Sequence, residues 1–350
     1  MRRGGLVGLG NVAVHGHLPF WVRSQKAQIV AVADARPSQR LERERLVPGA
    51  RWYGSALELM ADPALDFIDI CTPPVSHADL IRSGLERGLH VLCEKPLVGS
   101  MDEFRALAEL AAAAGRVLHI VHNWHQAPII QRASTLIRQG AIGRISTIVW
   151  HTLRIRPAAA ANGTAPNWRL DPRVAGGGVL LDHGWHVWYL LLRWMGGLPT
   201  TISAQLGTRR HTGYAVEDTA ELRLTFPGAS AKVLLTWAAD VRSNWVELSG
   251  TDGRIELQDD VLVLRQAGAE RRWLCPPGLS TGSQHPDWFD AVALQFLSES
   301  AGAPAGSNLA EAAVCLAVQE LARASSQRGG EALSLRASEL VGTAGVVHPV

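Results

Sequence analysis

The stretch Leu6-Val7-Gly8-Leu9-Gly10-Asn11-Val12-Ala13 joins a short apolar run to a glycine-rich turn near the start of the chain. It matches the pattern GxGxxA. In this pattern the first glycine permits a tight turn, the second lets the backbone approach a pyrophosphate, and the small last residue lets helix and strand pack closely. The helix that follows would offer backbone N–H groups and its positive dipole end to phosphates. The pattern predicts a dinucleotide site that uses Gly8, Gly10, Asn11 and Val12.

An acidic residue stands where such a site needs one. Asp34 ends the next predicted strand, 24 residues after Gly10. A carboxylate there accepts hydrogen bonds from the adenosine ribose hydroxyls and repels a 2′-phosphate, which favours NAD over NADP. Arg36 acts in the opposite direction, because a guanidinium could receive that phosphate. The alternative is a glycine turn in some other α/β fold, and the spacing to Asp34 argues against it.

Short apolar runs alternate with amphipathic segments over the first third of the chain. Ser55 with Glu58, and Ser100 with Glu103, fit capping boxes, in which a hydroxyl and a carboxylate satisfy N–H groups at a helix start. Alternating strands and helices indicate a doubly wound parallel sheet, so we expect residues 1–122 to form a Rossmann domain. The predicted strands are 6–9, 29–33, 51–53, 67–71, 91–93 and 117–121.

The pattern changes after residue 122. Several strand-like runs follow one another without intervening helices, and turns such as 227–228 and 252–253 join them. Successive strands joined by tight turns form an antiparallel sheet. We therefore expect residues 123–350 to form an α+β domain on an open, mostly antiparallel sheet, which binds substrate and carries the oligomer contacts. The predicted helices are 129–139, 177–195, 287–300 and 309–325, and the predicted strands are 145–154, 201–207, 219–226, 231–238, 245–249, 254–257 and 261–264, with a loop at 157–175.

Length and charge exclude some classes of protein. A chain of 350 residues exceeds the size of a single hydrophobic core, which agrees with two domains. The 34 basic and 32 acidic residues give a formal net charge of +2, without a long block of like charge. A nucleic-acid-binding protein would usually carry a basic patch, so we expect no nucleic-acid partner.

The chain has the features of a cytoplasmic protein. Its four cysteines form no CxxC pair, which indicates free thiols and predicts neither a disulfide framework nor a zinc knuckle. The sequence after Met1 has no separate apolar segment with a small-residue cleavage site, so no signal peptide is predicted. The apolar stretch 176–198 contains Asp182 and Arg193, and charges so deep predict a buried helix and no membrane partner.

Two segments follow the fourth and fifth predicted strands, at the sheet edge where ligands bind in such folds. Thr72-Pro73-Pro74 would shape a loop against the cofactor, although an ordinary strand-to-helix turn is an equal alternative. His77, just beyond it, fits a helix-start residue better than a catalyst. Glu94-Lys95-Pro96 would place an ammonium group beside the nicotinamide, where it could polarise a carbonyl or stabilise an alkoxide.

A second group of candidate residues lies in Gly176-Gly177-Gly178-Val179-Leu180-Leu181-Asp182-His183-Gly184-Trp185-His186. In a helix, Asp182 and His186 are four residues apart and share a face. Such an aspartate could fix the histidine tautomer and raise its basicity, which suits a general base. A buried structural pair and a metal site are the alternatives. His183 should point away from the other two side chains, so we expect no metal.

Together these motifs resemble, in their order, those of the Gfo/Idh/MocA oxidoreductases, which include glucose–fructose oxidoreductase and inositol dehydrogenase. The resemblance covers nearly the whole chain and implies a Rossmann domain followed by an open, mostly antiparallel sheet. It implies catalytic roles for Lys95, Asp182 and His186. It also implies recurring positions at Asn123 and in the segment 217–220. Thr72, Pro73, His77 and Glu94 are then expected beside the cofactor, and Asn123, Trp168 and Arg169 beside the substrate.

The chain departs from this family at one position. Many members carry an aspartate three residues after the catalytic histidine, and this chain carries Tyr189. A tyrosine can hydrogen-bond but bears no charge at neutral pH. The departure leaves the proposed base in place and changes the group that supports it.

The expected function is hydride transfer between NAD and a secondary alcohol or ketone carbon of a sugar, cyclitol or related polyol. His186 would take the hydroxyl proton, Asp182 would orient His186, and Lys95 would stabilise the developing alkoxide. One alternative is a non-catalytic NAD-binding regulator. Another is a redox-neutral enzyme that uses tightly bound NAD for elimination or glycoside cleavage.

An open sheet needs a cover for its outer face, so we also expect a homo-oligomer, either a dimer or a tetramer.

Overall fold

The computed structural model describes residues 1–36, 44–159, 167–282, 284–303 and 305–340. These residues fall into two compact units. The first contains Met1–Asn123 together with residues from 284 to 312. The second contains Trp124–Ala159, Asn167–Gly282 and residues from 313 onwards.

A parallel sheet forms the centre of the first unit. Among the described residues it has six strands in the order β3-β2-β1-β4-β5-β6, and every neighbouring pair is parallel. The strand order reverses between β1 and β4, as in doubly wound folds. The predicted Rossmann sheet is confirmed. The strands are β1 (Arg2–Val7), β2 (Ala27–Ala33), β3 (Arg51–Tyr53), β4 (Phe67–Ile70), β5 (His90–Cys93) and β6 (Leu118–Ile120).

Helices connect these strands. A π-helical turn, Ala13–His17, leads directly into α1 (Leu18–Arg23). Two later helices begin at the predicted serine caps, and each serine hydroxyl accepts the N–H group three residues on. The two glutamates reach one residue farther back than a capping box predicts, to the N–H groups of Gly54 and Gly99. The remaining helices between these strands are α2 (Ala56–Met60), α3 (His77–Glu86) and α4 (Met101–Ala114).

A larger sheet forms the centre of the second unit. Its nine described strands have the order β14-β13-β12-β11-β7-β10-β9-β8-β15 and are mostly antiparallel, as predicted. β7 pairs in parallel with β10, because a long connection lets it enter the middle of the sheet. The strands are β7 (Ile145–Leu153), β8 (Thr201–Gly207), β9 (Thr219–Phe226), β10 (Ala229–Thr236), β11 (Ser243–Gly250), β12 (Gly253–Gln258), β13 (Val261–Gln266), β14 (Ala269–Leu274) and β15 (Leu333–Ser334).

Among the described residues, three α-helices of four or more residues lie wholly within the second unit: α5 (Pro128–Arg138), α6 (Pro172–Ala175) and α7 (Val179–Met195). The longest, α7, packs on β7, β9 and β10 and is buried along most of its length, as predicted. No helix among the described residues is long and apolar enough to cross a membrane. Of the predicted loop 157–175, residues 160–166 lie outside the described residues.

The late helix α8 (Pro286–Ser300) belongs to the first unit, and α9 (Asn308–Gln327) begins there. The sequence pattern predicts this segment in the second domain, residues 123–350. Aromatic rings account for the difference: Phe289 stacks on His17 with ring centroids 3.8 Å apart, and Phe296 meets Phe67 at 5.5 Å. The apolar pattern of α8 predicts a buried face but does not indicate which sheet the helix covers.

Candidate active site

The glycine turn after β1 has the geometry that the pattern predicts. Gly8 has a φ of +86°, and a Cβ atom there would lie 2.9 Å from Thr72 Cγ2 and 3.1 Å from the Cys71 carbonyl. A Cβ atom on Gly10 would meet no described atom within 4 Å. The first helical hydrogen bond runs from Val14 N–H to the Gly10 carbonyl, which puts Asn11 and Val12 in the first turn. N–H groups in a first turn have no partner within the helix and can receive phosphate oxygens.

Asp34 closes this turn. Its carboxylate accepts the Leu9 N–H at 2.7 Å, and both oxygens contact the Arg36 guanidinium at 2.9 to 3.0 Å. Burial opposes the charge on Asp34, but the hydrogen bonds from Arg36 and Leu9 outweigh it and lower the pKa of the carboxyl. The predicted pair is therefore assembled, with Asp34 charged and Arg36 half exposed beside it.

The Thr72-Pro73-Pro74 segment forms the turn between β4 and α3. Ser76 Oγ donates to Thr72 Oγ1 at 2.8 Å and thereby closes the turn. His77 is fully buried, with one ring nitrogen 2.9 Å from the Thr72 carbonyl and the other 2.8 Å from the Pro96 carbonyl. His77 thus ties this turn to the Glu-Lys-Pro segment, and its described contacts are with backbone oxygens.

Lys95 lies two residues after β5, at the carboxyl end of the parallel strands. Its neighbour Glu94 was expected beside the cofactor, but the Glu94 carboxylate is buried. One oxygen lies 3.1 Å from His17 Nε2, and the other accepts the Lys95 N–H at 3.0 Å. Burial opposes the charged carboxylate, yet contacts from His17 and Lys95 lower the pKa of Glu94.

Asn123 follows β6 at the same edge of the sheet. Its side-chain oxygen is buried and has no hydrogen-bond partner among the described residues. An unpaired buried acceptor together with the open space at Gly10 fits a site made for a ligand. The glycine turn, Asp34 and this edge of the sheet therefore suit a nicotinamide dinucleotide.

In the second unit, Glu217 holds the start of α7. Its side chain accepts the N–H groups of Gly178 and Leu180 at 2.9 and 3.2 Å, and its carbonyl accepts the Val179 N–H. A Cβ atom on Gly178 would lie 2.0 Å from the Glu217 carbonyl oxygen. The triple glycine thus permits the close approach that fixes the first turn of the helix carrying Asp182.

Asp182 lies one residue before His183, and both side chains are partly buried. Arg169 Nε lies 3.6 Å from Asp182 Oδ1, and His183 Nε2 lies 3.5 Å from Oδ2. Our expectation that His183 points away from Asp182 was wrong, because an imidazole can turn back along the helix toward its neighbour. One oxygen of the Asp182 carboxylate thus lies near a guanidinium, and the other lies near an imidazole, which is cationic only when protonated.

His186 lies deeper in the same unit. Its Nδ1 is 3.0 Å from Tyr189 Oη, which also accepts the Trp124 N–H at 3.1 Å. The Trp124 ring stacks on the imidazole, with centroids 4.7 Å apart and an angle of 6° between the planes. The residue at which this chain departs from the family therefore contacts the predicted base. Orientation of His186 by Asp182 stays a prediction.

Trp168 and Arg169 lie in a short 3-10 helix, Trp168–Leu170, before α6. The Arg169 guanidinium lies over the Trp168 ring, 4.3 Å from its centroid. Arg169 thus connects Trp168 to Asp182 within the second unit. A substrate contact by Trp168 or Arg169 stays a prediction.

Two residues near the site were not predicted. Asp69 and His17 lie buried next to Glu94, and His17 contacts both carboxylates. One signal in the sequence was an aspartate inside the apolar run Phe67–Ile70, since a charged group in a central strand must find a buried partner.

Comparisons with known proteins match both units. A family described as an oxidoreductase family with an NAD-binding Rossmann fold matches residues 2–122. The GFO/IDH/MocA C-terminal domain matches residues 130–256.

Relatives named as sugar dehydrogenases align over most of the chain. D-xylose 1-dehydrogenase (NADP(+)) 2 of Haloferax volcanii is 30% identical over 267 residues, which are 76% of this chain and 78% of the relative. D-apiose dehydrogenase of Paraburkholderia graminis is 28% identical over 290 residues, covering 80% of this chain and 74% of the relative.

A solved structure shares the fold. Levoglucosan dehydrogenase in complex with NADH superposes with a TM-score of 0.81 at 22% identity, over 96% of this chain and 99% of that one. The two family matches cover both domains in the predicted order. Together with the Rossmann topology and the xylose dehydrogenase relative, they show that this chain belongs to the Gfo/Idh/MocA family of NAD(P)-dependent oxidoreductases.

Proposed function

We propose that the protein is a dehydrogenase that transfers hydride between NAD and a secondary alcohol carbon of a sugar or related polyol. The observation that carries the proposal is the placement of Lys95 at the carboxyl end of β5 in the same sheet as the glycine turn and Asp34. Relatives named for D-xylose and D-apiose support a sugar substrate.

One set of residues would bind the cofactor, and another set would move the proton. Gly8, Gly10, Asn11 and Val12 would hold the pyrophosphate, and Asp34 would hold the adenosine ribose. NAD, when bound, supplies the hydride acceptor. Thr72 and Pro73 would shape the loop beside the cofactor, and His77 would keep that loop in place.

Proton transfer is assigned to His186 and charge stabilisation to Lys95. Since Nδ1 of His186 lies on Tyr189, we assign the substrate hydroxyl proton to Nε2. The Lys95 ammonium would stabilise the developing alkoxide. Asp182 would orient the base, while Asn123, Trp168 and Arg169 would contact substrate hydroxyls. Because Tyr189 is neutral, the imidazolium that forms gains less electrostatic support than an aspartate would give.

A cofactor titration followed by a substrate screen tests this function. NAD, NADH, NADP and NADPH are titrated by tryptophan fluorescence, for which the chain has 12 tryptophans. The cofactor that binds is then screened against sugars, cyclitols and polyols at 340 nm in both directions. We expect binding and a change in absorbance that depends on substrate.

Other outcomes of the screen separate the alternatives. Cofactor binding without any chemical change in the panel would favour a regulator. Product formation with no net NADH would identify a redox-neutral enzyme. A protein that binds none of the four cofactors would contradict the assignment of Gly8, Gly10 and Asp34.

The preference for NAD over NADP is expected to depend on the charge of Asp34. Asp34→Asn keeps an oxygen for the Leu9 N–H but removes the negative charge that repels a 2′-phosphate. We expect the ratio of NADP to NAD affinity to rise about tenfold or more, which corresponds to ~1.4 kcal/mol. Fluorescence titration of wild type and Asp34→Asn with NAD and NADP measures this ratio. A wild-type protein that already prefers NADP would refute the assignment.

We further propose a homo-oligomer built on the open face of the nine-stranded sheet. The face opposite α7 carries partly exposed side chains, among them Val149, His151 and Leu234, on the central strands β7 and β10. These side chains surround a shallow depression of about 470 Å³. Light scattering after size-exclusion chromatography measures the assembly, and a monomer at all concentrations would contradict the proposal.

A further inference from the structure

Three buried ionisable side chains are connected by hydrogen bonds to the backbone of Lys95, and the mechanism above does not use them. His17 Nδ1 lies 2.9 Å from Asp69 Oδ2, and His17 Nε2 lies 3.1 Å from Glu94 Oε1. The exposed fractions of His17 and Asp69 are 1% and 0%. We refer to Asp69, His17 and Glu94 as the buried triad.

The geometry favours a charged imidazole at the centre of the triad. Two ionised carboxylates can only accept hydrogen bonds, so each ring nitrogen of His17 then donates to one of them and the ring is an imidazolium. Burial opposes that charge, but the Asp69 carboxylate outweighs it and raises the pKa of His17 well above its usual value. One buried cation thus links two carboxylates.

Other buried side chains contact the triad. Trp21 Nε1 donates to Asp69 at 2.7 Å, and the Phe289 ring covers the imidazole face. The Cys71 thiol lies 3.2 Å from His17 Nδ1, so His17, Asp69 and Cys71 are also close enough to be metal ligands. Contacts of 2.9 to 3.1 Å between the imidazole and the carboxylates are hydrogen-bond lengths, which favours a proton-linked cluster over a metal.

The triad ends at the backbone of Lys95. Glu94 Oε2, the oxygen that does not face His17, accepts the Lys95 N–H at 3.0 Å. Glu94 is therefore bound on one side by the imidazolium and on the other by the residue that carries the ammonium group. We propose that Asp69, His17 and Glu94 are positioning residues that fix Lys95 for hydride transfer. The proposal rests on the role of Lys95 given above.

The proposal has a direct physical consequence. Without the imidazolium, Asp69 and Glu94 would be buried carboxylates that lack their common partner, and an unpaired buried charge is strongly unfavourable. Glu94 would then protonate or rotate toward water, and Lys95 would lose the acceptor of its N–H group. Small misplacements of a catalytic group reduce the rate more than they reduce binding.

His17→Gln tests the proposal, and His119→Gln is the matched control. His119 is equally buried in the same unit and contacts a carboxylate, Glu299, at 2.9 Å. The described side-chain hydrogen bond of His119 goes to Glu299, and none goes to Glu94 or Lys95. Glu94→Gln is the second variant, because it keeps the shape of Glu94 and removes its charge. Circular dichroism and NADH binding confirm that each variant is folded.

One readout does not depend on activity. The chain has only three lysines, Lys26, Lys95 and Lys232, so reductive ¹³C-methylation gives few NMR signals, and Lys95→Arg assigns one of them. We expect the Lys95 signal to shift or broaden in His17→Gln and Glu94→Gln, while the signals of Lys26 and Lys232 stay in place. In His119→Gln all three signals should stay. A Lys95 signal that is unchanged in the folded triad variants overturns the proposal.

The second readout uses any substrate found in the screen. We expect kcat to fall about 10- to 100-fold in His17→Gln, with KM and NADH affinity changed less than about threefold, and little change in His119→Gln. Equal losses in both histidine variants would indicate a merely structural role. If the purified protein contains stoichiometric zinc, and His17→Gln loses it, then the triad residues belong to a metal site and the proposal is wrong. If no substrate is found, the NMR comparison still decides the proposal.

Discussion

Replacement of Lys95 by methionine is expected to lower kcat about 10³-fold, or ~4 kcal/mol in the barrier, while NADH still binds. Methionine fills nearly the same volume but offers no positive charge to the oxygen that becomes an alkoxide. Since Lys95 follows β5 and its N–H group is held by Glu94, the fold should tolerate the change. Steady-state kinetics and NADH titration measure the two effects separately.

Lys26→Met is the control for this prediction. Lys26 is exposed and immediately precedes β2, at the amino end of the parallel strands, so its replacement removes a charge without touching the sheet edge that carries Lys95. We expect wild-type turnover in this control. A Lys95→Met enzyme that retains more than about a tenth of wild-type kcat would show that the oxygen is stabilised by another group.

Gly178→Ala is expected to destabilise the second unit by about 3 kcal/mol or more and to abolish turnover. The new Cβ atom would lie 2.0 Å from the Glu217 carbonyl oxygen, and a backbone atom cannot move aside as a flexible side chain can. Either the loop that carries Glu217, just before β9, or the first turn of α7 must shift. That turn leads to Asp182, so stability and activity should be lost together.

Gly197→Ala is a matched control from the same unit. Gly197 lies just after α7, and a Cβ atom there would meet no described atom within 4 Å. Urea unfolding followed by tryptophan fluorescence compares the two variants with wild type. Similar midpoints for Gly178→Ala and wild type would mean that the contact with Glu217 relaxes at little cost.

Much of the fold could be predicted from local patterns. β8 and β9 cover the predicted residues 201–207 and 219–226, because regular alternation of buried and exposed residues defines a strand in an antiparallel sheet. The glycine turn and Asp34 were found because their spacing reflects a requirement of backbone geometry. The family resemblance and the oxidoreductase activity are confirmed by the comparisons.

Other features depend on contacts between distant parts of the chain. β14 was missed because most of its side chains are exposed, which removes the alternation that marks a strand. The attachment of α8 to the first unit depends on Phe289 meeting His17, and an apolar helix face does not identify its partner. The contact of Tyr189 with His186 follows from helical spacing, but its distance and its link to Trp124 needed coordinates.

Because α8 is synthesised long after the strands that it covers, the first unit cannot complete its folding early during translation. The first unit needs Phe289 against His17, Glu299 for His119 and Asn308 for the backbone of Ile120. These partners are translated more than 150 residues after β6, on the order of 10 to 30 s later at usual elongation rates. During that interval the polar groups of the nascent Rossmann sheet lack these hydrogen-bond partners. The apolar surface that the late helix covers is also exposed, and chaperones can bind it. A fragment cut after residue 123 would remain in that unfinished state permanently.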